Sequence, residues 1–232
     1  MATPDTPVSV DVEKLVYGGE GLAHVNGQVL LMPYVLPGER VTVIPERVNA
    51  GLLRASSPAV VQPSPHRVVP RCEYFGVCGG CHYQHSEYEF QLRQKEAILR
   101  ETLKRLGGIT YDGEIKTISA HPWNYRNRIQ LHFEDGKSGF HTRGSRDLCA
   151  IERCYISSPA LVDAIHKLHD AARASQWPKF LRSLELFTNE QQLQLNVVDA
   201  DRPVAARFFE WCSTFLDNVA YRALEYSATG YT

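Results

Sequence analysis

Three cysteines lie within ten residues, from Cys72 through Cys78 to Cys81, in the spacing C-x5-C-x2-C. Thiolates this close in sequence can converge on one metal centre. Gly79 and Gly80 favour convergence, because residues without a Cβ let the backbone between Cys78 and Cys81 turn back tightly. A closed tetrahedral or cuboidal site takes four protein ligands, so one more cysteine is needed. The stretch therefore predicts a site for a metal ion or an iron–sulfur cluster.

The fourth thiolate would come from Cys149, Cys154 or Cys212, the other three of the six cysteines. Four thiolates suit a structural zinc ion as well as an iron–sulfur cluster, so ligand chemistry alone leaves both open. The sequence shows no apolar run of membrane-spanning length and no signal peptide, which predicts a cytoplasmic protein without membrane contact. In that compartment cysteines serve metal binding or catalysis more often than disulfides.

Aromatic and basic residues are interleaved in the second half of the chain. The whole sequence has a formal net charge of −1, but seven Lys and Arg stand against four Asp and Glu between Lys116 and Arg153. Aromatic rings beside arginines can stack unpaired bases and hold phosphates. A core tryptophan beside solvated arginines would give the same pattern. The candidates for RNA contact are Trp123, Tyr125, Arg126, Arg128, His141, Arg143 and Arg146.

The elements that position these residues begin with an all-β module over residues 1–65. Val8, Val10 and Val12 alternate with polar residues, and Asn26-Gly27 favours a type I′ hairpin turn. About five short strands joined by tight turns indicate an OB-like barrel. No helical pattern follows the glycine-rich residues 18–21, so we interpret them as a barrel turn rather than a phosphate loop.

The sequence pattern of residues 66–232 predicts a mixed α/β domain. A proline-rich linker leads to the cysteines, and a helix follows with Ser86 and Glu89 as its capping box and Gly107-Gly108 as its end. Further helices are expected from Ser158-Pro159 and from Asp201. The predicted strands are residues 115–119, 129–133, 138–141, 184–187, 193–197 and 221–226.

Several motifs, taken together, resemble the RNA uracil-C5 methyltransferase family. Tyr17-Gly-Gly-Glu-Gly-Leu-Ala23 and Leu36-Pro-Gly-Glu-Arg-Val41 resemble its N-terminal TRAM domain, and the cysteine stretch with Gln84-His85 resembles its cluster loop. Trp123-Asn-Tyr-Arg-Asn-Arg128, Gly139-Phe-His141 and Ile151-Glu-Arg-Cys154 resemble its central domain. These motifs follow the family's order over nearly the whole chain.

The resemblance implies an α+β protein: a TRAM barrel over residues 1–65, then an iron–sulfur-bearing central domain over residues 66–232 that recognises RNA. It implies a 4Fe-4S cluster, with Cys154 preferred over Cys149 because the family's last cysteine follows a short extended run and precedes a helix. Four cysteines close the cluster, which favours a structural role over redox turnover. The implied ligands are Cys72, Cys78, Cys81 and Cys154, and the implied RNA contacts include Arg126, Arg128, Phe140 and His141.

The family's catalytic half has no counterpart in this sequence. Its adenosylmethionine loop, Asp-Pro-Pro-Arg motif and Ser-Cys-Asn-Pro motif are missing, so we expect a truncated chain without the Rossmann-like domain that binds S-adenosylmethionine. We therefore expect no catalytic residue and no methyl transfer by this chain alone. Cys212 lies on an apolar helical stripe, where burial raises a thiol pKa, and neither Cys212 nor Cys149 is expected to be a nucleophile.

Two functions remain open from the sequence. The first is the RNA-recognition half of a methyltransferase that acts on uracil C5 in tRNA or rRNA. The second is a stand-alone RNA-binding iron–sulfur protein without catalysis. Both predict a monomer that binds single-stranded or looped RNA.

Overall fold

The structure, a computed structural model, describes residues 6–219 of the 232-residue chain. The chain forms two compact units. Unit 1 comprises Met1–Gly76 and Cys81–Ser119, and unit 2 comprises Val77–Gly80 and Ala120–Thr232. Unit 1 thus contains the predicted β module together with the linker and helix that follow it, while a domain boundary at residue 65 stays a prediction.

Unit 1 contains eight short strands among its described residues, in two sheets. The three-stranded sheet has the order β1-β5-β8, and the five-stranded sheet has the order β2-β3-β4-β7-β6. We predicted about five strands, and the difference arises because strands of two or three residues are too short to show an alternating pattern. The strands are β1 (Val8–Asp11), β2 (Lys14–Leu15), β3 (Gly21–Val25), β4 (Gln28–Met32), β5 (Arg40–Val43), β6 (Glu46–Arg47), β7 (Leu52–Arg54) and β8 (Ala59–Gln62).

The two sheets enclose one apolar core. Val10 of β1 and Val41 of β5 meet Leu30 and Met32 of β4 in this core. The predicted type I′ turn between β3 and β4 is confirmed, because Asn26 and Gly27 have φ of 50° and 76°. The alternation in the sequence therefore places one face of each sheet inside, as a small barrel requires.

A fully buried carboxylate, Glu39, joins the β module to the linker. Its oxygens accept hydrogen bonds from the backbone N–H groups of Leu36 (2.8 Å) and Ser64 (3.1 Å), and from the guanidinium of Arg67. Arg67 also donates to the carbonyl of Tyr34 at 2.8 Å. Burial alone would raise the pKa of Glu39, but these hydrogen bonds outweigh it and hold the pKa below its ordinary value.

Helix α1 (Tyr88–Gly107) follows the cysteine stretch in unit 1. The predicted capping box is wrong: the N-cap is Glu87, it makes no side-chain cap, and the Ser86 hydroxyl donates to the carbonyl of Glu87. The predicted end is confirmed, because Gly108 adopts a left-handed conformation with φ of 64° and donates its N–H to the carbonyl of Lys104. None of the helices among residues 6–219 is both long and apolar enough to cross a membrane.

Unit 2 contains a five-stranded antiparallel sheet in the order β11-β10-β9-β12-β13. Helix α2 begins at Pro159 with Ser158 as its N-cap, as predicted. The predicted hairpin of residues 184–187 and 193–197 is confirmed by the pairing of β12 with β13. The elements are β9 (Arg128–Glu134), β10 (Lys137–His141), β11 (Leu148–Ala150), α2 (Pro159–Ala171), β12 (Leu181–Thr188), β13 (Leu193–Ala200) and α3 (Ala206–Cys212).

Three expectations for this region differ from the structure or lie outside it. Residues 115–119 form no strand, and residues 116–119 are exposed. Helix α3 begins at Ala206 rather than Asp201, because the Asp201 carboxylate pairs with the Arg182 guanidinium of β12 at 2.7 Å instead of capping a helix. The predicted strand over residues 221–226 lies outside the described residues.

One face of the unit 2 sheet is covered and the other is open. Helix α2 packs against β9, β10 and β12, and buries Leu161, Ile165 and Leu168. Residues 129, 131 and 133 of β9 are buried on this side. The opposite side, which we call the open face, carries Arg128, Gln130 and His132 of β9. The α+β class predicted from the sequence is confirmed.

The buried Glu39 generates a prediction about stability. Glu39→Gln should lower the free energy of unfolding by about 3 kcal/mol, because it leaves the partly buried Arg67 without its countercharge. The loss should be complete above the unfolded-state pKa of a glutamate and should shrink as the pH falls through the lower folded-state pKa of Glu39.

Urea unfolding at several pH values measures this effect. Asp11→Asn, which breaks the exposed pair between Asp11 and Arg40, is the matched control and should change stability much less. A difference between wild type and Glu39→Gln that stays constant down to pH 3 would contradict the role assigned to the carboxylate.

Candidate functional site

All six cysteines lie in the described part of the chain, and all six are thiols rather than disulfides. Cys149 and Cys212 are buried. The four predicted ligands are only partly buried; they are Cys72, Cys78, Cys81 and Cys154. The donor set is thus made of thiols alone, as an iron–sulfur cluster or a structural zinc ion requires.

In unit 2, residues 77–80 lie against the end of β10. The Gly79 N–H donates to the carbonyl of His141 at 3.0 Å, and the Arg143 N–H donates to the carbonyl of Val77 at 3.0 Å. A Cβ on residue 79 would lie 3.2 Å from the His141 carbonyl oxygen, so glycine permits this close approach. The Gly80 N–H donates to Cys78 Sγ at 3.5 Å.

In unit 1, the residues beside Cys72 and Cys81 pack against the β module. The Cys72 N–H donates to the side chain of Gln84 at 3.2 Å. Phe75 packs against the rings of Tyr34, at 4.9 Å between centroids, and His85, at 5.6 Å. Burial lowers the pKa of His85 to about 4, so its ring is neutral at pH 7 and 3.3 Å from the carbonyl of Val35. Gln84-His85 therefore supports the cysteine stretch structurally.

The glycine-rich turn of residues 18–21 also contacts this region. Gly19 has φ of 82°, and a Cβ there would lie 3.0 Å from the ring of Tyr83. The turn therefore needs glycine for packing, which agrees with its interpretation as a barrel turn. No helix follows it, since β3 begins at Gly21.

The cysteines do not form a metal-binding group in the structure as described. Among residues 6–219, no set of three or more His, Cys, Asp or Glu side chains is placed so that it could hold a metal ion. The donor chemistry and the tight glycine turn fit a cluster, whereas the arrangement of these side chains does not by itself form a site. The cluster and its four ligands stay a prediction.

The two remaining cysteines have the properties of inert thiols. Cys149 lies in β11, opposite Phe140 of β10, and burial raises its pKa. Cys212 in α3 is fully buried, which raises its pKa to about 12. A thiol with a raised pKa is rarely a thiolate at neutral pH, so neither residue has the character of a nucleophile.

The segment of residues 123–128 is fixed by backbone hydrogen bonds to residues 155–158. The Arg126 N–H donates to the Ile156 carbonyl and the Ser158 N–H donates to the Arg126 carbonyl, both at 2.8 Å. This pairing leaves Tyr125 59% exposed. Trp123 is half-buried, with its ring edge-on to Tyr155 at 6.4 Å. The structure therefore exposes the ring of Tyr125, with the half-buried Arg126 next to it in the sequence, on a backbone held by hydrogen bonds.

The other predicted RNA contacts are distributed over both sides of the sheet. On the open face, Arg128 pairs with Glu185 at 2.6 Å, and His141 stacks on His132 at 3.7 Å between ring centroids. Phe140 precedes His141 in β10 and points to the opposite side, so the structure does not bring these two together. Arg143 and Arg146 lie in the turn after β10, the first half-buried and the second exposed.

The sequence contained one further aromatic candidate, Phe187 of β12. It lies directly opposite Arg128 on the open face and is 37% exposed. The alternating apolar residues Leu184 and Leu186 indicate this position in the sequence. Because both are buried, residue 187 lies on the solvent side of the strand.

Comparisons with known proteins agree with these features. Residues 6–57 match the model of the TRAM domain family. An RNA methyltransferase of Aquifex aeolicus, described as uncharacterized, is 34% identical over 172 residues, which are 73% of this chain and 40% of that protein. The 23S rRNA (uracil(1939)-C(5))-methyltransferase RlmD of Dichelobacter nodosus is 34% identical over 170 residues, which are 72% of this chain and 40% of that protein.

A solved structure shows the same fold. The Pyrococcus abyssi tRNA (uracil-54, C5)-methyltransferase, in complex with S-adenosyl-L-homocysteine, aligns with a TM-score of 0.65 over 96% of this chain and 52% of that chain. At 23% identity this likeness shows the fold alone.

The family match shows that residues 6–57, which include most of the β module, are similar to a TRAM domain. The relative in Dichelobacter nodosus is named as a uracil-C5 methyltransferase and the one in Aquifex aeolicus as an RNA methyltransferase, and the chain is similar to part of each, in agreement with the resemblance of its motifs. The chain spans about two fifths of the length of the curated relatives it matches.

The burial of the six thiols generates a second prediction. In native, metal-free protein, iodoacetamide should label the four partly buried cysteines and leave Cys149 and Cys212 unmodified, because these two are buried with raised pKa values. Mass spectrometry of tryptic peptides measures the modification. Both should become reactive in denaturant, and labelling of Cys212 in the native protein as fast as Cys154 would contradict the buried position.

Proposed function

We propose that this chain provides RNA recognition for a methyltransferase that transfers a methyl group from S-adenosylmethionine to uracil C5 in tRNA or rRNA. The observation that carries the proposal is the segment of residues 123–128, which presents Tyr125 and Arg126 on a backbone held by residues 155–158. The TRAM match and the names of the relatives support RNA as the ligand. The cytoplasmic location and the monomeric state stay predictions.

The exposed groups favour single-stranded or looped RNA. An unpaired base can stack on the ring of Tyr125, whereas the bases of a duplex present no free faces. The half-buried Arg126, next to Tyr125 in the sequence, supplies positive charge for a phosphate, and Arg143 in the turn after β10 supplies another. Arg128 contributes less charge, because its guanidinium is already paired with Glu185. Base stacking and phosphate contacts together bind a flexible RNA strand with little sequence specificity.

For the cysteines we propose ligation of a 4Fe-4S cluster. When bound, this group supplies a covalent cross-link between distant parts of the chain, in a closed site without an open iron position. The partly buried thiols of the four candidates and the Gly80 N–H beside Cys78 Sγ support it. A zinc ion is the competing occupant. The proposed ligands are Cys72, Cys78, Cys81 and Cys154.

The cluster proposal predicts the metal content. Protein purified without oxygen should be brown and contain about four irons per chain. Cys154→Ser should lose most of the iron. Cys149→Ser, which changes the buried thiol of β11, should retain the iron. Iron, sulfide and zinc analysis measures the outcome. A colourless protein with one zinc would contradict the cluster, and iron loss in Cys149→Ser alone would show that the fourth ligand is wrong.

The RNA proposal predicts a salt-dependent affinity. Arg126→Ala should weaken binding to a fluorescein-labelled, uridine-containing single strand, and should reduce the slope of log K against log salt by about 0.7, the value for one phosphate contact on a single strand. Fluorescence anisotropy at several salt concentrations measures both quantities.

The matched control is Arg93→Ala, which removes an exposed arginine from α1. It should leave affinity and slope unchanged. Equal losses in Arg126→Ala and Arg93→Ala would show diffuse attraction by surface charge rather than a site at residues 123–128.

A further inference from the structure

The open face of the unit 2 sheet is arranged in rows of side chains across three strands. Arg128 of β9 lies opposite Phe187 of β12, which lies opposite Gln194 of β13. In the next row, Gln130 of β9 lies opposite Glu185 of β12, which lies opposite Asn196 of β13. All six side chains are at least partly exposed. The face therefore presents one aromatic ring and three amides to solvent.

Hydrogen bonds connect these rows into a chain of fixed side chains. Gln194 donates to Asn196 at 3.1 Å, Asn196 donates to one oxygen of Glu185 at 3.1 Å, and Arg128 donates to the other oxygen at 2.7 Å. The charge of Glu185 is thus compensated within the face. The bonds fix the orientation of both amides, so little side-chain entropy is lost when a ligand binds them.

A pair of stacked imidazoles continues the face toward β10. The rings of His132 and His141 lie parallel within 23°, at 3.7 Å between centroids. Burial and the neighbouring His141 lower the pKa of His132, so this ring is neutral at pH 7. Gln130, beside it, donates to the Ser183 hydroxyl at 3.1 Å.

The open face is continuous with the segment of residues 123–128. The Thr188 N–H donates to the carbonyl of Asn127 at 2.9 Å, directly after the pairing of Phe187 with Arg128. A strand of RNA that contacts Tyr125 and Arg126 can therefore pass onto β12 without leaving the surface of unit 2.

We propose that the open face is a base-binding platform for unpaired RNA, in which one base stacks on Phe187 while Gln194, Asn196 and Gln130 bind the edges of neighbouring bases. This inference rests on the RNA binding proposed above and extends it to a second surface. An aromatic ring on an exposed sheet with amides around it suits splayed bases, because each amide carries both a donor and an acceptor for base edges.

The same observations disfavour a protein partner. The centre of a protein interface is apolar and fully buried on binding. Here the centre is a polar chain anchored on the Glu185 carboxylate, and Phe187 is the one large exposed apolar side chain in these two rows. Positive charge from Arg126 in the adjoining segment complements a phosphate backbone.

The experiment compares Phe187→Leu with wild type, using a fluorescein-labelled single-stranded RNA of about 12 nucleotides. The dissociation constant should rise about 5- to 100-fold, the range for loss of one base stack, while the salt dependence stays that of wild type because no phosphate contact is lost. Phe187→Trp should restore the affinity. The matched control is Phe180→Leu, which removes a ring of the same unit that lies beneath Arg202 at 4.1 Å.

The possible outcomes separate this inference from the proposed function. A wild-type protein without RNA affinity would overturn both. If Phe187→Leu binds RNA as tightly as wild type while Arg126→Ala binds it more weakly, the platform is overturned and the RNA binding proposed at residues 123–128 stands. The open face would then be a surface for a protein partner. If Phe187→Leu lowers the melting temperature, photo-crosslinking of the wild type to 4-thiouridine RNA decides: crosslinks in β12 or β13 support the platform, and their absence overturns it.

Discussion

The pairing of β9 with its neighbours determines which side chains of unit 2 reach solvent. β9 is hydrogen-bonded to β10 on one side and to β12 on the other, so two neighbouring strands fix its register. Leu131 then meets Leu184 in the core, while Arg128 meets Phe187 outside. A slip by one residue would bury arginine and expose leucine along the whole strand. The apolar core thereby also fixes the groups available for RNA.

Unit 1 depends on a different kind of constraint, a buried carboxylate in which both oxygens accept hydrogen bonds. Glu39 accepts a hydrogen bond from the nearby Leu36 N–H, and it accepts others from the Ser64 N–H and the Arg67 guanidinium of the linker. A buried carboxylate would be costly without these partners, and with them it specifies where the linker must lie. The residues beside Cys72 are positioned through Phe75 and His85, which pack on the same part of the β module.

Much of the fold follows from local sequence, and the exceptions have physical causes. Asn26-Gly27, Gly108 and Ser158-Pro159 were predicted correctly because each requires a particular backbone conformation. The Ser86 cap was wrong because Glu87 is the N-cap residue and the Ser86 hydroxyl donates to the Glu87 carbonyl. The alternation around Phe187 indicates its solvent side, but its position opposite Arg128 depends on strand pairing, which the sequence does not reveal. Convergence of the cysteines depends on long-range geometry and cannot be read from their spacing.

The central claim, that the surface around residues 123–128 binds single-stranded RNA, is tested most directly by hydrogen–deuterium exchange with and without a uridine-containing oligonucleotide. The account predicts slower exchange in peptides covering residues 123–130 when RNA is present, with helix α2 unchanged because it covers the other side of the sheet. Equal exchange of residues 123–130 with and without RNA, at concentrations where the protein is saturated, would contradict the account.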